Sequence, residues 1–319
     1  MASLIGLDWG TSSLRGYLFD ADGAILEARH RPHGIRALPD GGFDAALADI
    51  TDGWPACPRI AAGMVGARGG WREVPYLQLP IAMTALGESL DSVTAGDGRP
   101  VYLVPGLRNP RRPDVMRGEE TQVLGAIALD PSLAPRATLL LPGTHSKWVS
   151  LRDGVLVDFH TTMTGELFAL LLEHSIIGAS IADPGQTDAG PSEALASASF
   201  LRGVGDARDS GNAGGFSRLF AIRASMLSGS LASTDIPAYL SGLLIGEEVR
   251  AMIAANEFDV SAPVHLIGAS ALCARYAHAL KAFSVESRVC AEDAAAHGLW
   301  LIASNAGWVG PSPPSGVRS

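Results

Sequence analysis

The strongest constraint on this chain is a pattern that occurs twice. The stretch "LIGLDWGTSSLRGYLFD", starting at Leu4, reads as an apolar strand, a loop of glycine and hydroxyl residues, and a second apolar strand. A two-residue loop is enough for a plain hairpin. Here Asp8, Gly10, Thr11, Ser12 and Ser13 supply five turn-competent residues in a span of six, so the loop is built to hold something. The same grammar returns in "ATLLLPGTHSKWVSLRDGVLVDF" at 137–159. Gly143-Thr144 lies 133 residues after Gly10-Thr11, and the turn glycine Gly154 lies 131 residues after Gly23. Two hairpins with matching loop chemistry and spacing indicate an internal duplication.

Around the two hairpins, strands alternate with helices. The first part reads as strands at "SLIGL", "LRGYLF" and "AILEAR", a helix at 43–50, a buried strand at 59–66, a strand at 99–106 and a helix at 118–129. In that last helix the spacing puts Val123, Leu124, Ile127 and Ala128 on one side. After the second hairpin come helices at about 164–176, 191–203, 216–228 and 237–256, a strand-turn-helix at 262–283, a strand at "SVESRVC" and a final helix at 292–304. This order predicts an α/β fold with two similar halves, each with a mixed sheet because the hairpins are antiparallel.

Composition excludes several classes. With 47% hydrophobic residues over 319 positions the chain can bury a large core. Only 18% of residues are charged and the net charge is −9, which disfavours nucleic-acid binding. No apolar run approaches the roughly 20 residues of a membrane span. The N-terminus carries no signal-peptide grammar. Cys57, Cys273 and Cys290 have neither CxxC spacing nor an even count, so we expect a reducing, cytoplasmic setting rather than disulfides or zinc.

Backbone N–H groups in Gly/Ser/Thr turns cradle phosphate oxygens, and the hydroxyls add donors. Two such loops would grip a polyphosphate from both sides. The first offers Gly10, Thr11, Ser12 and Ser13; the second offers Gly143, Thr144, His145, Ser146 and Lys147, with its backbone mattering more than its side chains. Asp8 is a candidate magnesium ligand, and Arg15 and Lys147 are candidates to neutralise phosphate charge. Gly268, Ala269 and Ser270 follow a strand, and a nucleotide fits over such a turn.

These motifs resemble those of the actin, Hsp70 and sugar-kinase superfamily. "IGLDWGTSSLRGYLFD" is similar to its first phosphate motif, "LLLPGTHSKWV" to its second, "HLIGASAL" at 265–272 to its adenosine motif and "DAAAHGLWLI" at 293–302 to its last interdomain helix. "AAGMVGARGGWREVPYL" at 61–77, "VMRGEETQVLGA" at 115–126 and "TTMTGELFALLLEHSIIG" at 161–178 resemble the 2-dehydro-3-deoxygalactonokinase family over residues 1–305. The resemblance implies two duplicated ribonuclease-H-like (actin-like ATPase) domains with the active site in the cleft between them. An N-terminal half at 1–130 would serve the sugar acid and a C-terminal half at 131–290 the nucleotide. The final helix, 291–305, would return to the interdomain region, with a disordered tail at 306–319. It also implies an ATP- and Mg2+-dependent kinase, monomeric or homodimeric, that phosphorylates the 6-hydroxyl of 2-dehydro-3-deoxy-D-galactonate.

Transfer to an alcohol needs a carboxylate near the hydroxyl. The resemblance puts it at "RGEET": Glu119 is the first choice as base and Glu120 the second, with Asp8 at the phosphates. Glu stands where related sugar kinases carry Asp, so the choice between the two stays open. For the substrate's carboxylate, Arg68 and Arg117 are candidates because guanidinium binds carboxylate bidentately. Gly69 permits close approach, Trp71 can pack on the sugar chain, and Thr121 is grouped with these contacts. Thr164 and Gly165 open a mostly core-facing helix and can line the cleft. No GxxxxGK[ST] loop is present. A kinase for another sugar or sugar acid, such as 2-dehydro-3-deoxygluconate, and a non-catalytic nucleotide-gated binding protein are the alternatives.

Overall fold

The computed structural model describes residues 1–181, 198–291 and 293–309. The first residues of the helix expected at 191–203, Glu292, and the tail from 310 lie outside the described residues. The chain forms two compact units. One consists of Met1–Arg136, Leu151–Asp158 and the described residues from Asp293 on; the other consists of Ala137–Ser150 and the described residues from Phe159 to Ala291.

In chain order the elements are β1 (Ala2–Trp9), β2 (Leu14–Asp20), β3 (Ile25–Arg31), α1 (Gly42–Ile50), β4 (Arg59–Gly63), β5 (Leu77–Gln78), β6 (Ile81–Ala82), β7 (Asp91–Thr94), β8 (Pro100–Leu103), β9 (Leu107–Asn109), β10 (Asp114–Met116) and α2 (Glu119–Leu129). Then follow β11 (Arg136–Leu141), β12 (Ser146–Arg152), β13 (Val155–Thr162), α3 (Thr164–His174), α4 (Ala198–Arg208), α5 (Leu219–Leu227), α6 (Ile236–Ala254), β14 (Val264–Leu266), α7 (Ser270–Ala282), β15 (Ser287–Val289) and α8 (Ala294–Asn305).

The first unit is built on a sheet of order β3-β2-β1-β4-β8-β7. The β1–β2 and β2–β3 pairs are antiparallel, β1–β4 and β4–β8 are parallel, and β7 returns antiparallel on β8. The second unit repeats this plan in the order β13-β12-β11-β14-β15, again with parallel β11–β14 and β14–β15 pairs. The duplication in the sequence is therefore a duplication of topology. In each half the meander supplies three strands and the later strands join the central one in parallel. A small sheet, β10-β9-β5, completes the first unit, and β6 pairs with Val155 and Leu156 of β13 inside that same unit.

Each sheet buries its own core. In the first unit Ile5, Leu7, Trp9, Leu14, Leu47, Ile50 and Leu103 pack together; in the second, Leu140, Trp148, Phe200, Val204, Val249, Leu266 and Tyr276 do so. Burying each large apolar side chain is worth about 1.5–3 kcal/mol. Three details correct the expectations. The strand expected at 59–66 ends at Gly63, where the backbone turns to φ 93° and a 3-10 turn begins. The helix expected at 216–228 starts as a 3-10 turn and becomes α-helical at Leu219. In α2, Val123 and Leu124 are buried as expected, but Ile127 is only half-buried and Ala128 is exposed. The contact face is instead centred on Gly125, because α2 meets α8 backbone to backbone. A Cβ on Gly125 would stand 1.7 Å from the Ala294 carbonyl, and one on Gly298 would stand 1.9 Å from that of Thr121.

Candidate active site

In the first unit, β1 and β4 run parallel, so their carboxyl ends lie at one edge of the sheet, the edge where open α/β sheets gather ligands. The loop Gly10–Ser13 leaves β1 at that edge and closes with a Gly10 N–H to Ser13 carbonyl bond of 2.8 Å. Thr11 and Ser12 are exposed. Asp8 and Arg15 are cross-strand partners, with Nη1 3.9 Å from Oδ2. Burial pushes the Asp8 carboxyl above its ordinary range, and the Arg15 charge partly offsets this.

What holds the loop is the segment after β3. The Trp9 indole donates to the His33 carbonyl at 2.8 Å; Ile35 N–H donates to Gly10 and Arg36 N–H to Thr11, both at 3.1 Å. Between these bonds sits Gly34, where a Cβ would stand 2.3 Å from both Ser12 N and Thr11 O. The loop is thus pressed backbone-to-backbone against a wall that tolerates no side chain.

At the end of β4 the chain folds back on itself. Trp71 N–H bonds Val65 O at 2.9 Å and Val74 N–H bonds Gly66 O at 3.0 Å, leaving Arg68 and Gly69 exposed at the tip. Trp71 turns inward, stacked on Phe43 at 5.4 Å and edge-on to Trp9 at 5.9 Å. Arg117 is buried; its Nη2 donates to the Val74 carbonyl at 2.6 Å and its guanidinium lies 4.3 Å over the Tyr76 ring. Its Nε and Nη1 have no hydrogen-bond partner among the described residues.

The helix α2 begins beside this edge, because the Gly118 backbone approaches Gly63 so closely that a Cβ there would lie 3.3 Å from the Gly63 Cα. The two carboxylates at its start have different fates. Glu120 is fully buried, and both its oxygens accept from Gly118 N–H, at 2.9 and 2.8 Å, while the Thr121 hydroxyl adds a bond at 3.2 Å. Burial and then the Glu119 charge push its carboxyl up to about 7, against those backbone bonds and Arg117. Glu119 is only half-buried; its Oε2 accepts from Arg117 N–H at 3.0 Å. Of the pair, Glu119 is the one within reach of a ligand.

The second unit builds a corresponding feature at the loop from Gly143 to Ser146. Here α3 supplies the backing. Glu166 N–H donates to the Thr144 carbonyl at 3.0 Å, and a Cβ on Gly165 would stand 2.4 Å from the Gly143 carbonyl. Gly165 thus does for this loop what Gly34 does for the first. Thr144 and His145 are exposed, and the His145 Nε2 bonds the Glu166 carboxylate. Ser146 ends the loop as the first residue of β12 and Lys147 already lies within the strand; both are buried, and the Lys147 Nζ bonds the Thr161 hydroxyl at 2.8 Å.

Next to this loop lies a cavity of about 250 Å³ wholly within the second unit. Gly143 and Thr144 form one wall, Thr164, Gly165 and Phe168 of α3 another, Ser241, Leu244 and Ile245 of α6 a third, and Leu272, Arg275 and Tyr276 of α7 the last. Arg275 reaches toward the Ser241 hydroxyl at 3.4 Å, and burial lowers its guanidinium from the ordinary range. Gly268, Ala269 and Ser270 stand at the entry to α7 and are not part of this lining; the helix they open is. The sequence reading missed Gly34, Ser241 and Arg275. Gly34 had a usable signal: it lies 24 residues after Gly10, as Gly165 lies 22 after Gly143.

Two copies of one strand order, each carrying a glycine-hydroxyl loop, define the actin-like ATPase fold. Solved structures agree: the activator of the 2-hydroxyisocaproyl-CoA dehydratase from Clostridium difficile aligns over 96% of both chains with a TM-score of 0.52 at 13% identity, a likeness of fold alone. Within that class, the sequence profile of the 2-keto-3-deoxy-galactonokinase family matches residues 8–302, and the chain belongs to that family. The 2-dehydro-3-deoxygalactonokinase of Escherichia coli (strain K12) is 37% identical over 300 residues, covering 92% of this chain and 94% of its own. A crystal structure of a Sinorhizobium meliloti protein assigned as a 2-dehydro-3-deoxygalactonokinase has a TM-score of 0.81 at 35% identity, covering 94% of this chain and 98% of that one. The chain is therefore a sugar-acid kinase, a phosphotransferase with an alcohol group as acceptor that uses a nucleotide. Among the described residues no helix is long and apolar enough to cross a membrane.

Proposed function

We propose that this kinase transfers the γ-phosphoryl group of ATP to the 6-hydroxyl of 2-dehydro-3-deoxy-D-galactonate, with Glu119 as the general base. The observation that supports the base is the contrast at the start of α2: Glu120 has all its accepting capacity turned inward, while Glu119 stands half-open beside Arg117. Position is what the role needs most, because phosphoryl transfer has a loose transition state and asks the protein for position and charge more than for a strong base.

In this reading the backbone N–H groups of both glycine-hydroxyl loops bind the phosphates, and catalysis requires the two units to act on one nucleotide. The cavity beside Gly143 takes the nucleoside: its apolar walls suit a base, and Arg275 and Ser241 give it polar contacts. Among the described residues no cluster of three metal-binding side chains exists. A lone carboxylate, Asp8, fits magnesium, which keeps much of its water and takes further ligands from the nucleotide. Magnesium supplies charge neutralisation at the phosphates when bound. Arg15 adds positive charge at the same loop. Arg117 is the first candidate for the sugar acid's carboxylate, since Val74 and Tyr76 hold its guanidinium and its Nε and Nη1 have no hydrogen-bond partner among the described residues; Arg68, exposed at its loop tip, is the second. An odd number of cysteines, Cys57, Cys273 and Cys290, without CxxC spacing fits a reducing cytoplasm.

A coupled ADP-release assay with a panel of 2-keto-3-deoxy sugar acids and neutral sugars tests the reading. Acceptor-dependent ADP release with the galactonate-derived acid supports it. Preference for the gluconate-derived acid would correct the substrate. Nucleotide binding without acceptor-dependent release would overturn catalysis and leave a nucleotide-gated binding protein.

A further inference from the structure

A buried carboxylate beneath the nucleotide cavity takes no part in the chemistry just described. Glu248 of α6 is 5% exposed. Its Oε1 accepts from the Trp148 indole at 2.7 Å, and its Oε2 accepts from the Tyr276 hydroxyl at 2.6 Å and from the Thr164 hydroxyl. The Ser146 hydroxyl lies 2.8 Å from that of Tyr276. Counting protons fixes the directions. An indole only donates, and the single proton of Tyr276 goes to the carboxylate, so the tyrosine oxygen is left to accept from Ser146. The chain of bonds runs Ser146 to Tyr276 to Glu248, with Thr164 and Trp148 converging on the same carboxylate.

These partners come from four elements. Ser146 and Trp148 belong to β12, Thr164 opens α3, Tyr276 is on α7 and Glu248 on α6. Ser146 ends the phosphate loop, and Thr164 and Tyr276 line the cavity. Stability alone does not explain an ionisable group here, because well-packed apolar residues often serve as well as a buried polar network. Burial pushes its carboxyl above the ordinary carboxylate range, and the hydroxyl and indole bonds offset this only in part.

We propose that Glu248 is a positioning residue for the nucleotide: it locks the Gly143–Ser146 loop in register with the α3 and α7 walls of the cavity, so that phosphate and nucleoside contacts are set by one group. The inference rests on the nucleotide reading of this cavity. Glu248 touches no substrate and acts through Ser146, Thr164 and Tyr276.

Steady-state kinetics with each substrate varied in turn tests it. Tyr276→Phe keeps the ring but cuts Ser146 from Glu248. Glu248→Leu removes the hub, and Glu248→Gln keeps its shape, since the hydroxyls can turn round to accept. KM for ATP rises about tenfold in Tyr276→Phe and Glu248→Leu, the size of one or two lost charge-assisted bonds, while KM for the sugar acid stays put. Glu248→Gln recovers most of the loss. The Tyr276→Phe/Glu248→Leu double variant is no worse than Glu248→Leu, because both act on one network. If Glu248→Leu does not fold, Tyr276→Phe and Ser146→Ala carry the comparison. Unchanged KM for ATP in the folded variants, or equal changes in both KM values, overturns the inference. If the wild type releases no ADP with any acceptor, the kinase reading fails instead, and ADP titration of the same variants, with the same tenfold expectation, decides the role of Glu248.

Discussion

The Gly34→Ala variant isolates the wall behind the first loop. Its backbone is not in the left-handed region, so alanine meets no conformational penalty. The whole effect is steric. The added Cβ would stand 2.3 Å from Ser12 N and Thr11 O and 2.4 Å from Ser12 C. Non-bonded heavy atoms settle at about 3.5 Å, so the loop or its wall must give by about 1 Å. All three atoms are backbone, and the same stretch is pinned by the Ile35 and Arg36 N–H bonds, so the strain cannot be relieved by a rotamer change. Overpacking of this kind costs about 1–3 kcal/mol of stability, which a domain of ordinary stability survives. A 1 Å misplacement of a positioning group costs about a hundredfold in rate. The expected result is a folded protein with a modestly lowered melting temperature and kcat/KM down about a hundredfold in the ADP-release assay. Gly205→Ala is the control: it lies in α4 with open space around it, and gains about 0.5–1 kcal/mol of helix stability without a change in activity. A Gly34→Ala protein with wild-type kcat/KM would refute the reasoning, since the loop would then work equally well when displaced.

Three other outcomes are expected. Glu119→Gln lowers turnover by about 10²–10⁴-fold, the worth of a general base, while a non-hydrolysable ATP analogue binds with unchanged affinity in a calorimetric titration. Glu120 has its carboxyl raised from 4.5 to about 7, so the folded protein holds a proton that the unfolded chain has lost; stability falls as pH rises through that window, by about 3 kcal/mol in full, and is flat above it. Melting temperatures of wild type and Glu120→Gln at pH 5 and pH 8 check this: the fall disappears in the variant. Asp97→Asn strands the guanidinium of Arg59, which is 3% exposed and donates to Asp97 through both Nη atoms, so the melting temperature drops while both KM values hold.

Local grammar made the fold legible. The two meanders could be read because apolar runs, glycine-hydroxyl loops and turn glycines lie within 25 residues of one another, and all six of their strands form. The β9–β10 hairpin escaped because its strands have three residues each and are separated by Pro110, Arg111, Arg112 and Pro113. In the candidate site, the sequence named the loops and the "RGEET" carboxylates but could not separate Glu119 from Glu120. Both favour a helix N-terminus. Only the Gly118 N–H, which turns the second inward, tells them apart. Lys147 looked like a loop cation because its neighbours are loop-like; the pleat sends its side chain to Thr161. The link from Trp148 to Glu248 spans 100 residues and left no local trace.

The glycine contact between α2 and α8 has a consequence for the order in which the protein can become active. Helix α2 carries Glu119, yet the face it needs, around Gly298, comes 179 residues later in the chain. Domains otherwise tend to fold as they emerge, N-terminal first. Here the first unit waits for the whole of the second to be synthesised before the helix that carries Glu119 has a seat. A nascent chain therefore has both glycine-hydroxyl loops well before the helix that carries Glu119 is seated, and phosphoryl transfer waits until α8 has been synthesised.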